Sequence, residues 1–248
     1  MAAPVLILDQ TDSTNAEARR RAEAGELGPV WIAARQQSQG RGRRGRQWVS
    51  TQGNLASTLL VTLDRSPAEA AQLTFVAALA VADLLDRYVP PALVTIKWPN
   101  DVLLDGRKTS GILIESGKAD TGGLWLAIGI GVNLKTAPED TERPATSIAE
   151  HLRYDVAAVP DCAEAAKALA ETFGQWFERW NRFGFQPILD AWVARTPGLF
   201  GPCTARLTNE TFVGVADGVE TDGALRLRLA DGSLKVISAG DVFFGETA

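Results

Sequence analysis

The stretch Gly40-Arg-Gly-Arg-Arg-Gly-Arg-Gln-Trp48 sets four arginines among three glycines and ends on an indole. Glycine lets the backbone approach a ligand closely, and arginine carries a planar, permanently charged set of hydrogen-bond donors. Together they predict a loop that wraps around an anion. The alternative is a solvated basic loop or a tail that binds nucleic acid, because runs of charge usually lie on the surface.

The glycine spacing within this arginine loop (residues 40–48) also matches the G-x-G-x-x-G fingerprint of dinucleotide-binding folds. That fingerprint has mechanical meaning only between a strand and a helix. Residues 30–34 predict a strand that leads into a polar run before the loop, and the apolar residues between 54 and 63 predict a second strand after it. We therefore expect arginine side chains and loop amides, rather than a helix N-terminus, to hold phosphates.

The N-terminal region predicts a strand at residues 5–8 and then a helix that stops near Gly25. Thr14 and Glu17 have the spacing of a capping box. Ser13, Thr14 and Asn15 fall at the junction between strand and helix. Their polar side chains either cap the helix or bind a ligand.

Further helices are predicted from their start and stop signals. Ser66-Pro67-Ala68-Glu69 begins a helix that should reach Tyr88, before the Pro90-Pro91 pair. A second helical region is predicted over residues 147–195, starting with a capping box between Ser147 and Glu150. Its tryptophans and phenylalanines recur at helical spacing and are interpreted as core.

Several strands are predicted between these helices. Residues 94–98 form the first, and residues 102–104 then turn at Asp105-Gly106 and return through Lys108 to residues 111–115 as a hairpin. Residues 124–132 form another strand, interrupted by Gly129 and Gly131. A glycine inside a strand often marks the close approach of a ligand or of another backbone.

After Thr196-Pro197-Gly198 the chain changes to short alternating runs broken by Asp-Gly pairs, which predicts a small β barrel. We place the domain boundary near Gly198, with a larger domain over residues 1–198 and a smaller one over residues 199–248. A chain of 248 residues is long enough for this division.

Composition limits the functional classes. The formal net charge of −5 argues against a general nucleic-acid binder, since such proteins are usually basic overall. Cys162 and Cys203 show no metal-binding spacing, and we expect them to be buried thiols of a reducing compartment. His151, the single histidine, has no catalytic partner in the sequence. With no signal peptide and no apolar run of roughly 18 residues, we expect a cytoplasmic protein without a membrane anchor.

Polar groups recur at the ends of several predicted strands, which places them within reach of a common site. The sequence contains no G-x-S-x-G motif, no cysteine-histidine arrangement and no phosphate-loop lysine. The chemistry should therefore depend on positioning and on the stabilisation of charge.

The arginine loop, Lys97-Trp-Pro-Asn-Asp101, Gly111-Ile-Leu-Ile-Glu115 and Gly129-Ile-Gly-Val-Asn133 occur in the order seen in bacterial biotin protein ligases. The chain resembles that family over nearly its whole length. The resemblance implies an α+β fold: a mixed-sheet catalytic domain of the biotin/lipoate ligase type with helices on one side, followed by a small SH3-like β barrel.

The resemblance also implies a two-step reaction with ATP and biotin as substrates and Mg²⁺ present. Biotin is activated as biotinyl-5′-AMP, and the biotinyl group is then transferred to a lysine of a biotin carboxyl carrier protein, that of acetyl-CoA carboxylase or of a related carboxylase. The first step brings two anions together, and unit charges about 4 Å apart repel by roughly 4 kcal/mol at an effective dielectric of 20. Cations offset this repulsion.

By position, the resemblance implies catalytic roles for Arg41, Arg43 and Lys108. It implies a biotin site formed by Ser13, Thr14, Asn15, Gln37, Arg41, Gly42, Arg43, Lys108 and Gly111. It implies an ATP and adenylate site formed by Arg43, Arg46, Trp48, Lys97, Asn100 and Asn133. Asp101 is the candidate magnesium ligand.

Several expectations depend on departures from the family pattern. Gln39 stands where family members often have a small residue. Some members carry an N-terminal helix-turn-helix and repress transcription, whereas this sequence begins almost at the first predicted strand, so we expect no DNA binding. A lipoate ligase and a non-catalytic nucleic-acid-binding module are the alternatives, and a homodimer is an expectation from the family alone.

Overall fold

The computed structural model describes residues 3–139, 141 and 144–245. Its larger part is a seven-stranded mixed sheet with the strand order β1-β2-β3-β7-β6-β5-β4. Strands β1 and β2 are parallel, and every other neighbouring pair is antiparallel. The strands are β1 (Val5–Thr11), β2 (Val30–Gln37), β3 (Leu55–Leu63), β4 (Val94–Lys97), β5 (Asp101–Leu104), β6 (Arg107–Lys118) and β7 (Leu124–Val132).

Helices cover both faces of this sheet unequally. The helices are α1 (Thr14–Glu23), α2 (Pro67–Ala71), α3 (Leu73–Leu85), α4 (Cys162–Phe183) and α5 (Gln186–Ala194). In β2, Trp31 and Ala33 belong to the main core with α3–α5, whereas the alternate residues Val30 and Ile32 pack with Ala18 of α1. The predicted mixed sheet is confirmed, but the helices are not all on one side as expected, because α1 packs on the face opposite α3–α5.

The helix predicted from Ser66 begins there, but it breaks at Gln72 and ends at Leu85. The capping box between Ser66 and Glu69 is present. At the break, the Gln72 side chain donates to Thr221 O at 2.7 Å and accepts from Trp180 Nε1 at 2.7 Å. Gln72 therefore ties the helix pair to α4 and to the C-terminal sheet.

The helical stretch Pro67–Leu85 is long and apolar enough to cross a membrane by composition alone. However, 67% of its most apolar window is buried inside the protein. Val76, Leu79 and Leu84 are fully buried in the main core. This burial is what the central helix of a packed domain requires.

Two local predictions are wrong. The helix α1 has Ser13 at its N-cap without a side-chain capping bond, so Thr14 and Glu17 form no capping box. The region 147–195 is not continuously helical, because the capping box of Ser147 and Glu150 starts only a 3₁₀ turn, Ile148–His151. The long helix α4 begins after a second capping box at Asp161.

The C-terminal region forms a five-stranded antiparallel sheet with the order β11-β10-β9-β8-β12. It packs against the larger part, where Trp98 Nε1 donates to Gly223 O at 2.9 Å. The strands of this smaller sheet are β8 (Pro202–Arg206), β9 (Thr211–Val219), β10 (Leu225–Arg228), β11 (Leu234–Ile237) and β12 (Asp241–Phe244).

In the larger sheet, the predicted turn at Asp105-Gly106 is present between β5 and β6, with both residues at positive φ.

Candidate functional site

A cavity of about 480 Å³ lies on the α1 face of the large sheet, between the arginine loop and the strands. Nearly all the residues singled out from the sequence line it. The exception is Lys97, whose Nζ lies 4.9 Å from the ring centroid of Phe243 in β12. The predicted residues that line the cavity are Ser13, Thr14, Asn15, Gln37, Arg41, Gly42, Arg43, Arg46, Trp48, Asn100, Asp101, Lys108, Gly111 and Asn133.

The cavity exists because a row of small residues crosses the sheet. Ala56 of β3 pairs with Gly131 of β7, and Gly131 pairs with Gly111 of β6. The Trp48 indole lies directly on this row. A Cβ on Gly131 would overlap Trp48 Cε2, and one on Gly111 would lie 3.1 Å from Trp48 Cζ3. The strand glycines therefore accommodate a flat aromatic group, as their positions within strands predict.

The arginine loop closes on itself as a compact lobe. Gly42 N donates to Arg46 O at 2.8 Å, and Trp48 N donates to Gly40 O at 3.0 Å. Arg41 and Gln47 form an isolated antiparallel bridge. Arg44 adopts φ 58°, which lets the tip of the lobe turn. The loop thus presents its arginines in two directions from a fixed base.

Arg43 points back to the large sheet, where its Nη1 donates to Asn100 Oδ1 at 3.1 Å. Burial lowers the pKa of its guanidinium, and the carboxylates of Asp101 and Asp241 act in the opposite direction. Arginine remains charged under these conditions. A half-buried positive charge therefore faces the cavity.

The neighbouring arginines point to the C-terminal sheet. Arg44 Nη1 lies 3.3 Å and Arg46 Nη2 lies 2.9 Å from Asp241 Oδ2. Arg44 also donates to Thr208 Oγ1 at 2.9 Å. Asp241 also lines the cavity, and no sequence signal pointed to it, because this carboxylate is almost 200 residues away from the loop.

Lys108 and Asp101 form an ion pair inside the cavity, with Lys108 Nζ 2.6 Å from Asp101 Oδ1. The Lys108 backbone is fixed on both sides, because its N donates to Pro144 O and its O accepts from Thr146 N, each at 2.9 Å. Its Nζ lies 5.9 Å from the Trp48 ring. The lysine is therefore held between a carboxylate and an indole.

The polar end of the cavity is formed by the first turn of α1 and the end of β2. Gln37 Oε1 accepts from Thr14 N at 2.8 Å, so Thr14 binds across to β2 instead of capping its own helix. Asn15 packs against Gly129, where a Cβ would overlap its Oδ1. Thr58 of β3 contacts both Thr14 and Asn15, and no motif in the sequence pointed to it.

Asn133 directly follows the end of β7 (Leu124–Val132), lines the cavity and is 2% exposed. Its Nδ2 donates to Thr146 O at 3.1 Å, while its buried Oδ1 has no hydrogen-bond partner among the described residues. A buried, unpaired acceptor is costly unless a ligand supplies the donor. Asn54 fixes the segment after Asn133, because its Oδ1 accepts from the backbone N–H groups of residues 134–136.

The remaining candidates lie away from this chemistry. Arg107 Nη2 and Thr146 Oγ1 lie 2.9 and 3.0 Å from His151 Nε2, so the histidine has structural partners that the sequence did not reveal. Burial raises the pKa of the Cys203 thiol to about 11 and also raises that of Cys162. Both thiols are buried and free, and such thiols are poor nucleophiles.

Comparison with known protein families gives the class of protein to which this fold and cavity belong. A model of the biotin/lipoate A/B protein ligase family matches residues 7–134, and a model of the biotin protein ligase C-terminal domain matches residues 198–245. The chain belongs to the biotin/lipoate protein ligase family.

Three of the proteins similar to this chain are biotin ligases. A biotin–[acetyl-CoA-carboxylase] ligase of Paracoccus denitrificans is 43% identical over 241 residues, which cover 96% of this chain and 100% of that protein. Another, of Mycobacterium tuberculosis, is 34% identical over 95% of this chain and 87% of its own length. The biotin protein ligase of Aquifex aeolicus, solved with biotin and ATP, has the same fold, with a TM-score of 0.79, 23% identity and coverage of 98% and 99% of the two chains.

Proposed function

We propose that this enzyme activates biotin with ATP as biotinyl-5′-AMP and transfers the biotinyl group to a lysine of a biotin carboxyl carrier domain. The observation that carries the proposal is that one cavity has a neutral polar end and a cationic end. Thr14 and Gln37 form the first, and Arg43 and Lys108 form the second. A cyclic urea with a carboxylate tail, followed by a triphosphate, needs these two environments in this order.

In the first step the biotin carboxylate attacks the α-phosphorus of ATP and pyrophosphate leaves. Two anions have to meet, so the cations at this end of the cavity lower the repulsion. Lys108 is positioned to contact the carboxylate and the phosphate oxygens. In the ligand-free protein Asp101 neutralises Lys108, and the substrates would replace that carboxylate as its partner.

Magnesium fits this site only when it binds together with ATP. No group of three or more histidine, cysteine or acidic side chains able to hold a metal occurs in the described ranges 3–139, 141 and 144–245. Mg²⁺ in nucleotide sites is commonly bound by one or two carboxylates together with substrate phosphates. Asp101 would supply the carboxylate, and the ion would neutralise charge on the phosphates.

Trp48 and Asn133 would hold the adenine ring. The Trp48 indole already lies on the row of glycines and offers a flat aromatic surface to the adenine. The unpaired Asn133 Oδ1 can accept a hydrogen bond from an N–H group of the base. Enclosure of the adenylate by the arginine loop would protect it from water.

In the second step the amine of the carrier lysine attacks the acyl carbonyl of the adenylate and AMP leaves. The attacking lysine loses a proton when the amide forms, and AMP departs as a phosphate monoester. Arg43 and Lys108 would stabilise the negative charge on the departing phosphate.

Partners and organisation follow from the same proposal. The carrier is the carboxyl carrier protein of acetyl-CoA carboxylase or a related carboxylase, and the protein acts in the cytoplasm. We infer a catalytic domain over residues 1–198 and a C-terminal β domain over residues 199–248. A homodimer and the absence of DNA or membrane binding remain predictions.

The deciding experiment incubates the protein with ATP, Mg²⁺ and labelled biotin or labelled lipoate, with and without a carrier domain. We expect acid-stable label on the carrier from biotin only, with AMP and pyrophosphate formed in equal amounts. Label from lipoate but not from biotin would instead support the lipoate ligase alternative. No adenylate from either acid would contradict both.

A further inference from the structure

Behind the polar end of the cavity, Thr58 connects two of the residues that line it. Thr58 Oγ1 lies 2.8 Å from Thr14 Oγ1 and 2.7 Å from Asn15 Oδ1. Thr58 is 0% exposed, so it acts from inside the protein. Thr14 and Asn15 are only 3% and 4% exposed, so their partners inside the protein constrain the direction of each proton.

The orientation of the Asn15 amide follows from its other partners. Its Nδ2 donates to Glu115 Oε2 at 2.8 Å and to Leu113 O at 3.3 Å, and both of these atoms are acceptors. Its Oδ1 therefore faces Thr58, and a carbonyl oxygen can only accept. The single hydroxyl proton of Thr58 is consequently donated to Asn15.

The orientation of Gln37 is fixed in the same way. The backbone N–H of Thr14 is a permanent donor, and it lies 2.8 Å from Gln37 Oε1. The Nε2 group of Gln37 is then directed to the other side, close to Gly40 and the arginine loop. Gln37 therefore offers a donor to the cavity.

The Thr14 hydroxyl can act toward a ligand as a hydrogen-bond acceptor. Its proton has two acceptors on the protein side, Thr58 Oγ1 at 2.8 Å and Gln37 Oε1 at 3.1 Å. With its proton engaged there, Thr14 Oγ1 offers a lone pair to the cavity. The polar end thus presents an acceptor at Thr14 beside a donor at Gln37.

We propose that Thr58 is a positioning residue that makes this site specific for a cyclic urea. The inference rests on the proposed function. An N–H beside a C=O, as in a urea ring, complements an acceptor beside a donor. The dithiolane ring of lipoate has neither group and would leave Thr14 and Gln37 unpaired, which a buried site penalises.

The test compares three acids on the folded, full-length enzyme. Biotin and desthiobiotin both carry the cyclic urea, whereas lipoate does not. We expect Thr58→Val to weaken binding of biotin and of desthiobiotin by the same factor, about tenfold for one lost buried hydrogen bond, and to leave lipoate binding unchanged. Thr58→Ser, which keeps the hydroxyl, should bind all three acids as the wild type does.

Thr62→Val is the matched control on the same strand. The Thr62 hydroxyl is buried and has no hydrogen-bond partner among the described residues, and Thr62 does not line the cavity. If Thr58→Val does not fold, Glu115→Leu tests the same network from its other end, because it removes the acceptor of Asn15 Nδ2. The same selective loss of the two urea-containing acids is expected.

Equal weakening of all three acids by Thr58→Val would show a general disturbance of the cavity and overturn the proposal. Wild-type affinity of Thr58→Val for biotin would overturn it as well. Failure of the wild type itself to bind biotin would contradict the proposed function instead. Calorimetry without ATP separates these outcomes, because it measures binding and not turnover.

Discussion

Lys108 Nζ and Asp101 Oδ1 lie 2.6 Å apart on the adjacent strands β6 and β5, at the cationic end of the cavity. The lysine is 31% exposed and the carboxylate 11%, so both are reachable by a ligand but partly withdrawn from water. A charge pair in this environment interacts more strongly than one at the surface. It holds Lys108 ready without leaving an isolated positive charge in the ligand-free protein.

Replacement of Lys108 by alanine should therefore strongly slow adenylate formation. Removal of one charged contact to a developing transition state commonly costs a factor of 10² to 10³, and we expect a loss of about this size in the rate of biotin-dependent pyrophosphate exchange. Lys118→Ala is the control, because Lys118 lies at the far end of the same strand and does not line the cavity. A Lys108→Ala enzyme with the wild-type exchange rate would exclude this role.

The contact between the arginine loop and Asp241 predicts a change in loop mobility. Asp241→Ala removes the carboxylate shared by Arg44 and Arg46. We expect faster tryptic cleavage within residues 40–48 in the free enzyme, and a smaller protective effect of biotin plus ATP. The measurement is mass spectrometry of a timed digest.

Asp231→Ala provides the comparison for that digest, since Asp231 lies in an exposed turn of the same sheet, where its Oδ1 accepts from Ser233 N and Ser233 Oγ. It should be cleaved at the wild-type rate. Equal cleavage rates for Asp241→Ala and the wild type would mean that the two ion pairs do not restrain the loop. Exposed ion pairs often contribute little to stability, so the digest is a strict test of these two pairs.

The row of small residues beneath Trp48 gives a prediction about the nucleotide. A Cβ on Gly131 would overlap the indole, so Gly131→Ala should displace Trp48 and raise the KM for ATP about tenfold or more, with a smaller effect on biotin. Once Trp48→Ala has removed the indole, the added Gly131→Ala should cost little. A double-mutant cycle in KM for ATP measures this coupling. Additive losses would show that the glycine does not act through the tryptophan.

Local signals in the sequence predicted much of this site. Glycines at alternate positions of β7 predicted a close approach, and the Asp105-Gly106 turn placed Lys108 at the start of β6. Contacts between distant segments were not predictable. Gln72, between α2 and α3, hydrogen-bonds to Thr221 and Trp180, and Asp241 contacts the arginine loop from the C-terminal sheet. Thr58 is a buried threonine of a strand, and its type and spacing carry no functional signal until its neighbours are known.

Asp12 and Glu17, which lie near the start of α1, predict that the stability of the protein depends on pH. Hydrogen bonds from Arg20 hold the pKa of Asp12 well below its usual value. Burial acts to raise the pKa of Glu17, but its hydrogen bonds with Arg20 and Arg21 lower it overall. A carboxyl whose folded-state pKa is depressed stabilises the protein above its unfolded pKa, and this contribution is lost as pH falls through the folded-state pKa.

Arg20→Gln should therefore reduce the free energy of unfolding at pH 7, by about 1 kcal/mol or less, because these ion pairs are partly exposed to solvent. The difference from the wild type should stay constant down to about pH 5 and shrink below the ordinary pKa values of 4.5 for Glu17 and 3.8 for Asp12. Urea unfolding at pH 7, 4 and 3 measures it. Arg19→Gln serves as the control, since Arg19 pairs with Glu23 and not with Asp12. A difference that persists unchanged at pH 3, or one that grows as the solution becomes more acidic, would show that Arg20 acts through packing rather than through these carboxylates.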